Sequence, residues 1–460
     1  MRAGARPAYV CGAAAAYGLY CATPAGIRRV LRFLYTLTMY LLTPVILYRL
    51  AARGLKYPRY FARWRERFGF FPDPGIADSI WVHAVSLGEV NAAVPLIEAL
   101  MRAYPDSPFV VTTVTPTGSE RVLKLFGDRV FHVYLPYDLP ASVERFFARI
   151  RPRLAVIMET EIWPNLFIAC RERGIPIVVT NARLSDRSLK GYGPVRPLAR
   201  RAIRCADFVA AQSPSDAERL RALGADVTRL AVVGNLKFDL QVPESLVDAG
   251  AALRDSWGVR RPVWIAASTH EGEEMPVLKA HTAVLQRFPD ALLIIVPRHP
   301  ERFRAVAAAC RSLGFNTRTR SEDVGADARC QCFVVDTLGE LMQFYAAADL
   351  AFVGGSLEPI GGHNLLEPAA LGLPIIVGPH TFNTEEVTDS LIEADAATRV
   401  ADADALGARV IRLMTRDDER LAMGRAAKAV LERERGAVER TLRIVAQVLG
   451  GKTVAVEPWA

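Results

Sequence analysis

The chain has 460 residues, 51% of them hydrophobic and 23% charged, with a formal net charge of +8. At about 150 residues per domain that length holds two or three domains, and the apolar share argues against a globally disordered chain. Seven cysteines (11, 21, 170, 205, 310, 330 and 332) with no C-x-x-C pair exclude a disulfide scaffold and a zinc-site spacing; they read as reduced thiols in a cytosolic body.

The charge is unevenly placed. Residues 1–67 carry twelve Lys/Arg against one acid, Glu66, which leaves 45 basic and 48 acidic side chains for the other 393 residues. A near-neutral body argues against a nucleic-acid partner, since a duplex-binding surface spreads Lys/Arg over its contact face. The basic end reads instead as a membrane address. Residues 33–48 (FLYTLTMYLLTPVILY) hold no charge, with Arg28, Arg29 and Arg32 before them and Arg49 and Arg53 after. A spanning helix needs roughly 20 apolar residues, so this run is short unless the flanking arginines reach out to the headgroups. Tyr35, Tyr40 and Tyr48 suit an interfacial belt. Lys56, Arg59, Arg63, Arg65 and Arg67, interleaved with Tyr57, Tyr60 and Trp64, compose a basic, aromatic patch suited to anionic lipid. The competing reading is a buried core helix followed by a solvated basic loop. A cleaved signal peptide is disfavoured, because no small-residue cleavage site follows before the arginines. The arginines place the body after residue 49 on the cytoplasmic side. Residues 1–27 are Ala/Gly-rich and read as an extension or a second marginal apolar segment.

From residue 80 the chain settles into strand–turn–helix units. Apolar, β-branched runs recur at 80–86, 109–115, 130–135, 154–159, 175–180, 207–212 and 230–235, then again at 262–268, 291–297, 332–337, 350–356 and 374–379. Continuous apolar strands separated by amphipathic helices such as 89–104 predict parallel sheets covered on both faces. A polar stretch at 239–261 divides the two sets. The fold class is therefore α/β, with two Rossmann-like domains facing across a cleft and ligands at the carboxyl ends of the strands. No G-x-G-x-x-G, Walker A or H-E-x-x-H motif is present, which disfavours dinucleotide and ATP enzymes.

Several strand ends carry unusual residues. Glu89 sits in the first turn of a helix after the 80–86 strand, where it either compensates the helix dipole or serves as a general base. A helix N-terminus lowers a carboxylate's pKa and weakens it as a base; desolvation by a bound lipid substrate would offset this. Glu159 and Glu161 close the 154–159 strand, and alternation puts both on one side with Thr160 opposite. They are either hydrogen-bonded in the fold or used in chemistry. Lys237, in GNLKFD, follows a strand and reads as a cleft-facing cation or an ordinary surface lysine. Ser268 and Thr269 precede acids in a capping pattern. Arg298 and His299 end another strand, ready for phosphate or carboxylate. Free helix N–H groups are expected from about Gly339. The stretch 352–374 pairs glycines at 354–355 and 361–362, and His363-Asn364 then opens a helix able to receive phosphate, with Glu367 one turn on for ribose hydroxyls. Asp402-Ala403-Asp404 reads as surface, so no metal is expected.

The segments HAVSLGEVNAA, TTVTPTGSERV, VYLPYDLP, LAVIMETEIWPN, NARLS, GNLKFD, STHEGEE, VPRHPERF and FVGGSLEPIGGHNLLEP resemble those of the bacterial 3-deoxy-D-manno-octulosonic acid (Kdo) transferases. The likeness runs from about residue 33 to 449 and departs at Leu338 and the Glu358-Pro359-Ile360 turn. It implies a GT-B glycosyltransferase. Its parts would be an unmatched extension (1–32), a membrane anchor with a basic segment (33–67), an acceptor domain (68–240), a CMP-sugar donor domain (241–440) and a tail (441–460). It implies CMP-Kdo as donor, a lipid A precursor as acceptor, inner-membrane lipids at the cytoplasmic face as surroundings, inversion at the anomeric carbon, and neither metal nor other cofactor. Carried across by position, Glu89 is the proton acceptor, and Glu159 and Lys237 stabilise the transition state. Pro297, Arg298, Leu338, Gly339, Glu340, Asn364, Leu365, Leu366 and Glu367 contact CMP. The rival readings are a GT-B transferase using another nucleotide sugar, a nucleotide-sugar epimerase, and a non-enzymatic membrane scaffold. The oligomeric state is left open.

Overall fold

A computed structural model describes residues 25–322, 326–327 and 329–451. Most of the 1–32 extension, as residues 1–24, and the end of the tail, 452–460, lie outside the described residues. The chain forms two compact units, one ending at Gly234 and resumed from Glu439, the other Asn235–Val438.

The first unit contains β1 (Ser79–His83), β2 (Phe109–Thr113), β3 (Phe131–Tyr134), β4 (Pro152–Met158), β5 (Ile177–Ala182), β6 (Phe208–Ala211) and β7 (Leu230–Val232). They pair in parallel in the order β3-β2-β1-β4-β5-β6-β7. The second unit contains β8 (Val263–Thr269), β9 (Leu292–Pro297), β10 (Thr317–Thr319), β11 (Cys332–Val334), β12 (Leu350–Val353), β13 (Ile375–Val377) and β14 (Ala397–Arg399). Their order is β10-β11-β9-β8-β12-β13-β14, again parallel throughout. Both are doubly wound sheets, so the α/β GT-B expectation holds. In each, strand order reverses beside the first strand, between β1 and β4 and between β8 and β12. Crevices open at such reversals, outside the carboxyl ends of the strands.

The sheets stand on buried apolar side chains. Trp81 and Trp264 are fully buried in the two central strands. Each indole N–H finds an acceptor, Thr112 Oγ1 at 2.9 Å and His281 Nδ1 at 3.1 Å, which removes the cost of burying a donor. Two strands escaped the sequence reading, β10 and β14. Both are three-residue edge strands, Thr-Arg-Thr and Ala-Thr-Arg, without an apolar run to betray them. The boundary between the units falls before Lys237 rather than at 240/241, so Lys237 goes with the second. Residues 441–449, read as tail, belong to a helix, Ala437–Leu449, whose Thr441 meets Thr180 of β5 at 3.3 Å. Cys170, Cys205, Cys310, Cys330 and Cys332 are free thiols.

The apolar run expected at 33–48 is part of a longer helix, Ala25–Lys56. Its segment Val30–Leu55 is 26 residues and unburied, long and apolar enough to cross a membrane. The shortfall expected from sixteen residues therefore disappears: Arg49 and Arg53 lie within the helix, exposed, rather than ending it. Phe33, Leu41, Tyr48 and Leu55 are among the large apolar side chains it exposes. The basic patch is a partial correction. Arg67 is only 3% exposed, donates to Val114 O at 2.7 Å and lies 4.2 Å over the Tyr134 ring. Arg63 donates to His132 O at 2.6 Å and pairs with Glu66. These two arginines fasten the segment to β3, which a charge count cannot distinguish from lipid-facing ones; Arg59 and Arg65 stay exposed.

Asp138 docks the long helix. Its buried carboxylate accepts the N–H groups of Asn165 (2.9 Å) and Leu166 (2.8 Å), capping the helix Pro164–Glu172, and the hydroxyl of Tyr35 at 2.9 Å. Hydrogen bonds to a charged group are worth about 1.5–3 kcal/mol. Asp138→Ala is expected to destabilise the protein by roughly 3 kcal/mol, because two buried N–H groups and the half-buried Tyr35 hydroxyl lose their acceptor. A denaturant midpoint unchanged from the wild type would contradict this.

Candidate functional site

In the first unit the reversal between β1 and β4 gathers three acids. The helix Leu87–Ala103 starts just after β1, beyond Ala84, Val85 and Ser86, and carries Glu89 in its first turn. Glu89 is 9% exposed; its Oε2 accepts the Val85 N–H at 2.8 Å and its Oε1 the Ser86 hydroxyl at 3.3 Å. Burial pushes its pKa up to about 7, with the charges of Glu159 and Glu161 adding to the rise and the hydrogen bonds from Val85 and Ser86 opposing it. The expected depression by the helix N-terminus is thus outweighed within the protein itself, without a lipid to desolvate the group. A carboxylate poised near neutrality is suited to general-base work.

The neighbouring acids arrive by a route other than strand alternation. β4 ends at Met158, and Glu159 takes a left-handed backbone, φ +55, that a non-glycine residue adopts at a cost of order 1–3 kcal/mol. The chain reverses there, Thr160 donates to the Arg183 carbonyl, and Glu161 accepts the Trp163 indole N–H at 3.1 Å. Burial raises the Glu161 pKa, with the Glu159 charge adding to it. The expectation of two acids on one pleat face is corrected to a turn, but both still bear on Glu89. Lys237 lies in the second unit, exposed on the short 3₁₀ turn Leu236–Asp239 that Asn235 caps.

In the second unit the reversal between β8 and β12 collects the donor-side candidates. Pro297 ends β9, and exposed Arg298 donates its backbone N–H to Thr269 O at 2.9 Å. Leu338 is 66% exposed beside Gly339, whose φ of +92 turns the chain. Glu340 is bound by Arg320 at 2.9 Å, by Gln343 and by Thr337, and these hold its pKa below the usual carboxylate range, the Arg320 hydrogen bond foremost. The two helices expected to present N-termini to phosphate are short: Leu341–Ala346 and Leu366–Ala370. Asn364 and Leu365 precede the second, and Asn364 Oδ1 accepts the Leu366 N–H at 3.1 Å. One turn of helix sums little dipole, so the phosphate-receiving helix is corrected to individual N–H groups and side chains. Glu367 follows in that turn, half-buried.

The paired glycines serve close approach as expected. A Cβ on Gly354 would lie 2.6 Å from Ser268 O and 2.9 Å from Glu273 Oε2, and Gly361 holds φ +109. Ser268 and Thr269 belong to β8 rather than to a cap, Ser268 with φ +57. Asp402 caps the helix Ala403–Thr415, and Asp404 pairs with Lys279 at 2.8 Å, which gives the D-x-D triplet a structural use. Two residues here make contacts that the sequence does not show. Glu273 is fully buried and accepts four backbone N–H groups, from His270 (3.0 Å), Gly355 (2.6 Å), Ser356 (2.9 Å) and Leu357 (2.9 Å). His270 Nε2 lies 2.7 Å from His363 Nε2. A Glu at a helix start was legible; the loop 80 residues away that it holds was not.

Comparison with known proteins supplies the class and then the family. A family model described as glycosyl transferases group 1 matches residues 315–430, so the chain is a glycosyltransferase. Another, described as 3-deoxy-D-manno-octulosonic-acid transferase (kdotransferase), matches residues 62–240. The chain is 42% identical over 420 residues to the 3-deoxy-D-manno-octulosonic acid transferase of Haemophilus influenzae, covering 90% of this chain and 98% of that one. It is 39% identical to that of Bordetella pertussis, covering 91% and 100%. It therefore belongs to the Kdo transferases, as the sequence resemblance implied. Among solved structures, UDP-GlcNAc 2-epimerase from Neisseria meningitidis is 13% identical, with a TM-score of 0.56 over 81% of this chain and 100% of that one; the likeness is one of fold.

Proposed function

We propose that this Kdo transferase moves Kdo from CMP-Kdo to a lipid A precursor, with inversion and without a metal, at the cytoplasmic face of the inner membrane. The observation that carries the chemistry is Glu89, buried at a strand-order reversal with its pKa raised to about 7. In this reading Glu89 takes the proton from an acceptor hydroxyl as its oxygen bonds to the anomeric carbon. The bond from that carbon to the CMP phosphate breaks on the opposite face, and CMP leaves with the electron pair. Glu159 and Lys237 stabilise the charge that develops, and Pro297, Arg298, Leu338, Gly339, Glu340, Asn364, Leu365, Leu366 and Glu367 hold CMP. Preorganised charges of this kind are worth several kcal/mol at a developing anion.

The lipid acceptor is supported by the unburied apolar helix and by a groove at its side. About 460 Å³ in volume, the groove is lined by Tyr40, Pro44 and Leu47 of the helix and by Phe68, Leu139 and Arg145. The test is the mass of the lipid after incubation of the full-length enzyme with CMP-Kdo and a tetra-acylated lipid A precursor. One or more added Kdo residues, with undiminished rate in EDTA, are expected. No added mass, or transfer from a UDP- or GDP-sugar instead, would reject the donor and acceptor; loss of activity in EDTA restored by metal would reject the metal-free reading.

A further inference from the structure

We propose that His270, His299 and His363 form, beside Arg298, a subsite for the carboxylate of the donor sugar, and that occupying it draws a proton from solution. The inference rests on CMP-Kdo being the donor. Three loops of the second unit bring the rings together: the one after β8 carries His270, the one after β9 carries His299, and the glycine loop after β12 carries His363. The His270 and His363 rings stack with centroids 4.9 Å apart, and their Nε2 atoms are 2.7 Å apart. His299 stands edge-on to His270 at 5.1 Å. Two imidazole nitrogens at that distance share a single proton, so the rings hold opposite tautomers or one is a cation. A Cβ on Gly355 would lie 3.0 Å from His363, so glycine there makes room for the ring.

Of the four other described histidines, three are structural. His83 contacts Thr112, His132 is held by Arg63 and Thr113, and His281 lies between Trp264 and the Gln331 carbonyl. The cluster differs: His270 and His363 are half-exposed, His299 and Arg298 exposed, and among the described residues no carboxylate accepts a hydrogen bond from the side chain of any of the four, Glu273 meeting only the His270 backbone N–H. Glu273, the nearest acid, spends its oxygens on four backbone N–H groups, and Glu271 and Glu274 pair with Arg302. Burial, with repulsion from the neighbouring rings and cationic Arg298, holds the pKa of His363 down at about 4; burial also holds that of His270 below its ordinary value, although the Glu273 charge opposes the shift. The His270–His363 pair is therefore neutral, and an anion reverses the balance.

The donor offers such an anion in the right place. An octulosonic acid carries its carboxylate on the anomeric carbon, the atom that also bears the leaving phosphate. A site that fixes the phosphate beside Arg298 must therefore meet a second anion one bond further on. A proton that enters the His270–His363 pair makes it a charge-assisted donor to that carboxylate. Because binding raises the imidazole pKa, donor affinity is full at low pH and is lost as pH rises through the bound-state value.

Calorimetry of the full-length protein at pH 7, in two buffers of different ionisation enthalpy, counts the protons taken up with CMP-Kdo and with CMP. More protons are expected with CMP-Kdo. His270→Asn and His363→Asn are each expected to abolish the excess and weaken CMP-Kdo by about 10–100-fold, while leaving CMP affinity within about threefold. Should either variant fail to fold, His299→Asn at the exposed position carries the same comparison. Equal proton uptake for both ligands, or parallel loss of CMP and CMP-Kdo affinity, overturns the proposal. Wild-type protein that binds CMP but not CMP-Kdo removes the donor assignment, and the subsite with it.

Discussion

Glu89→Gln is expected to cut turnover about 10²–10⁴-fold, the usual contribution of a general base. Glutamine keeps the shape and can still accept the Val85 N–H, so the turn survives while the proton acceptor is lost. The pH dependence separates this role from a structural one. The base works only when ionised, so the wild-type rate should fall as pH drops through about 7. Stability moves the other way: the folded-state pKa is raised, so the contribution of Glu89 is complete below its ordinary value near 4.5 and is lost as pH rises through about 7. Above pH 7 the glutamine variant should thus be at least as stable as the wild type and far less active. Near-normal turnover, or inactivity accompanied by unfolding, would remove Glu89 from the role. Glu161→Gln adds a graded check. It deletes one of the two neighbouring charges that raise the Glu89 pKa, and should shift the acid limb of the rate profile to lower pH.

What the sequence revealed and what it hid divide along one physical line. Buried central strands such as β1, β4, β8 and β9 announce themselves because both faces must be apolar, whereas β10 and β14 are three-residue edge strands, Thr-Arg-Thr and Ala-Thr-Arg, and carry no such mark. Glu89 was legible as an acid in a first helical turn, but not its pKa, which depends on how deeply the turn sinks and on two carboxylates 70 residues away. The reading of Glu159 and Glu161 reached a correct neighbourhood by an incorrect geometry. Alternation presumes a continuing strand, and the left-handed residue Glu159 ends it. Arg63 and Arg67 were counted as lipid-facing because charge is visible in a sequence and a carbonyl acceptor on a distant strand is not. The same limit concealed His270, whose partner His363 lies 93 residues on.

Glu273→Ala should be the most damaging single change in the second unit. Its carboxylate is the shared acceptor for the strand-end turn at His270 and the glycine loop at Gly355, Ser356 and Leu357, with no solvent to replace it. A buried N–H without an acceptor costs about 1–3 kcal/mol, and four such donors relax only in part, so a loss of roughly 3–5 kcal/mol is expected. A urea unfolding midpoint reads it directly. The loop also carries His363 and leads into Asn364, so donor KM should rise more than kcat falls in whatever protein remains folded. Glu273→Gln retains one acceptor oxygen and should sit between alanine and wild type in both measurements. Gly354→Ala offers an independent route to the same loop: its Cβ would crowd both Ser268 O and the Glu273 carboxylate, and so should mimic Glu273→Ala without altering any charge. Alanine at 273 that left both the midpoint and donor KM unchanged would show that the loop is held by other means.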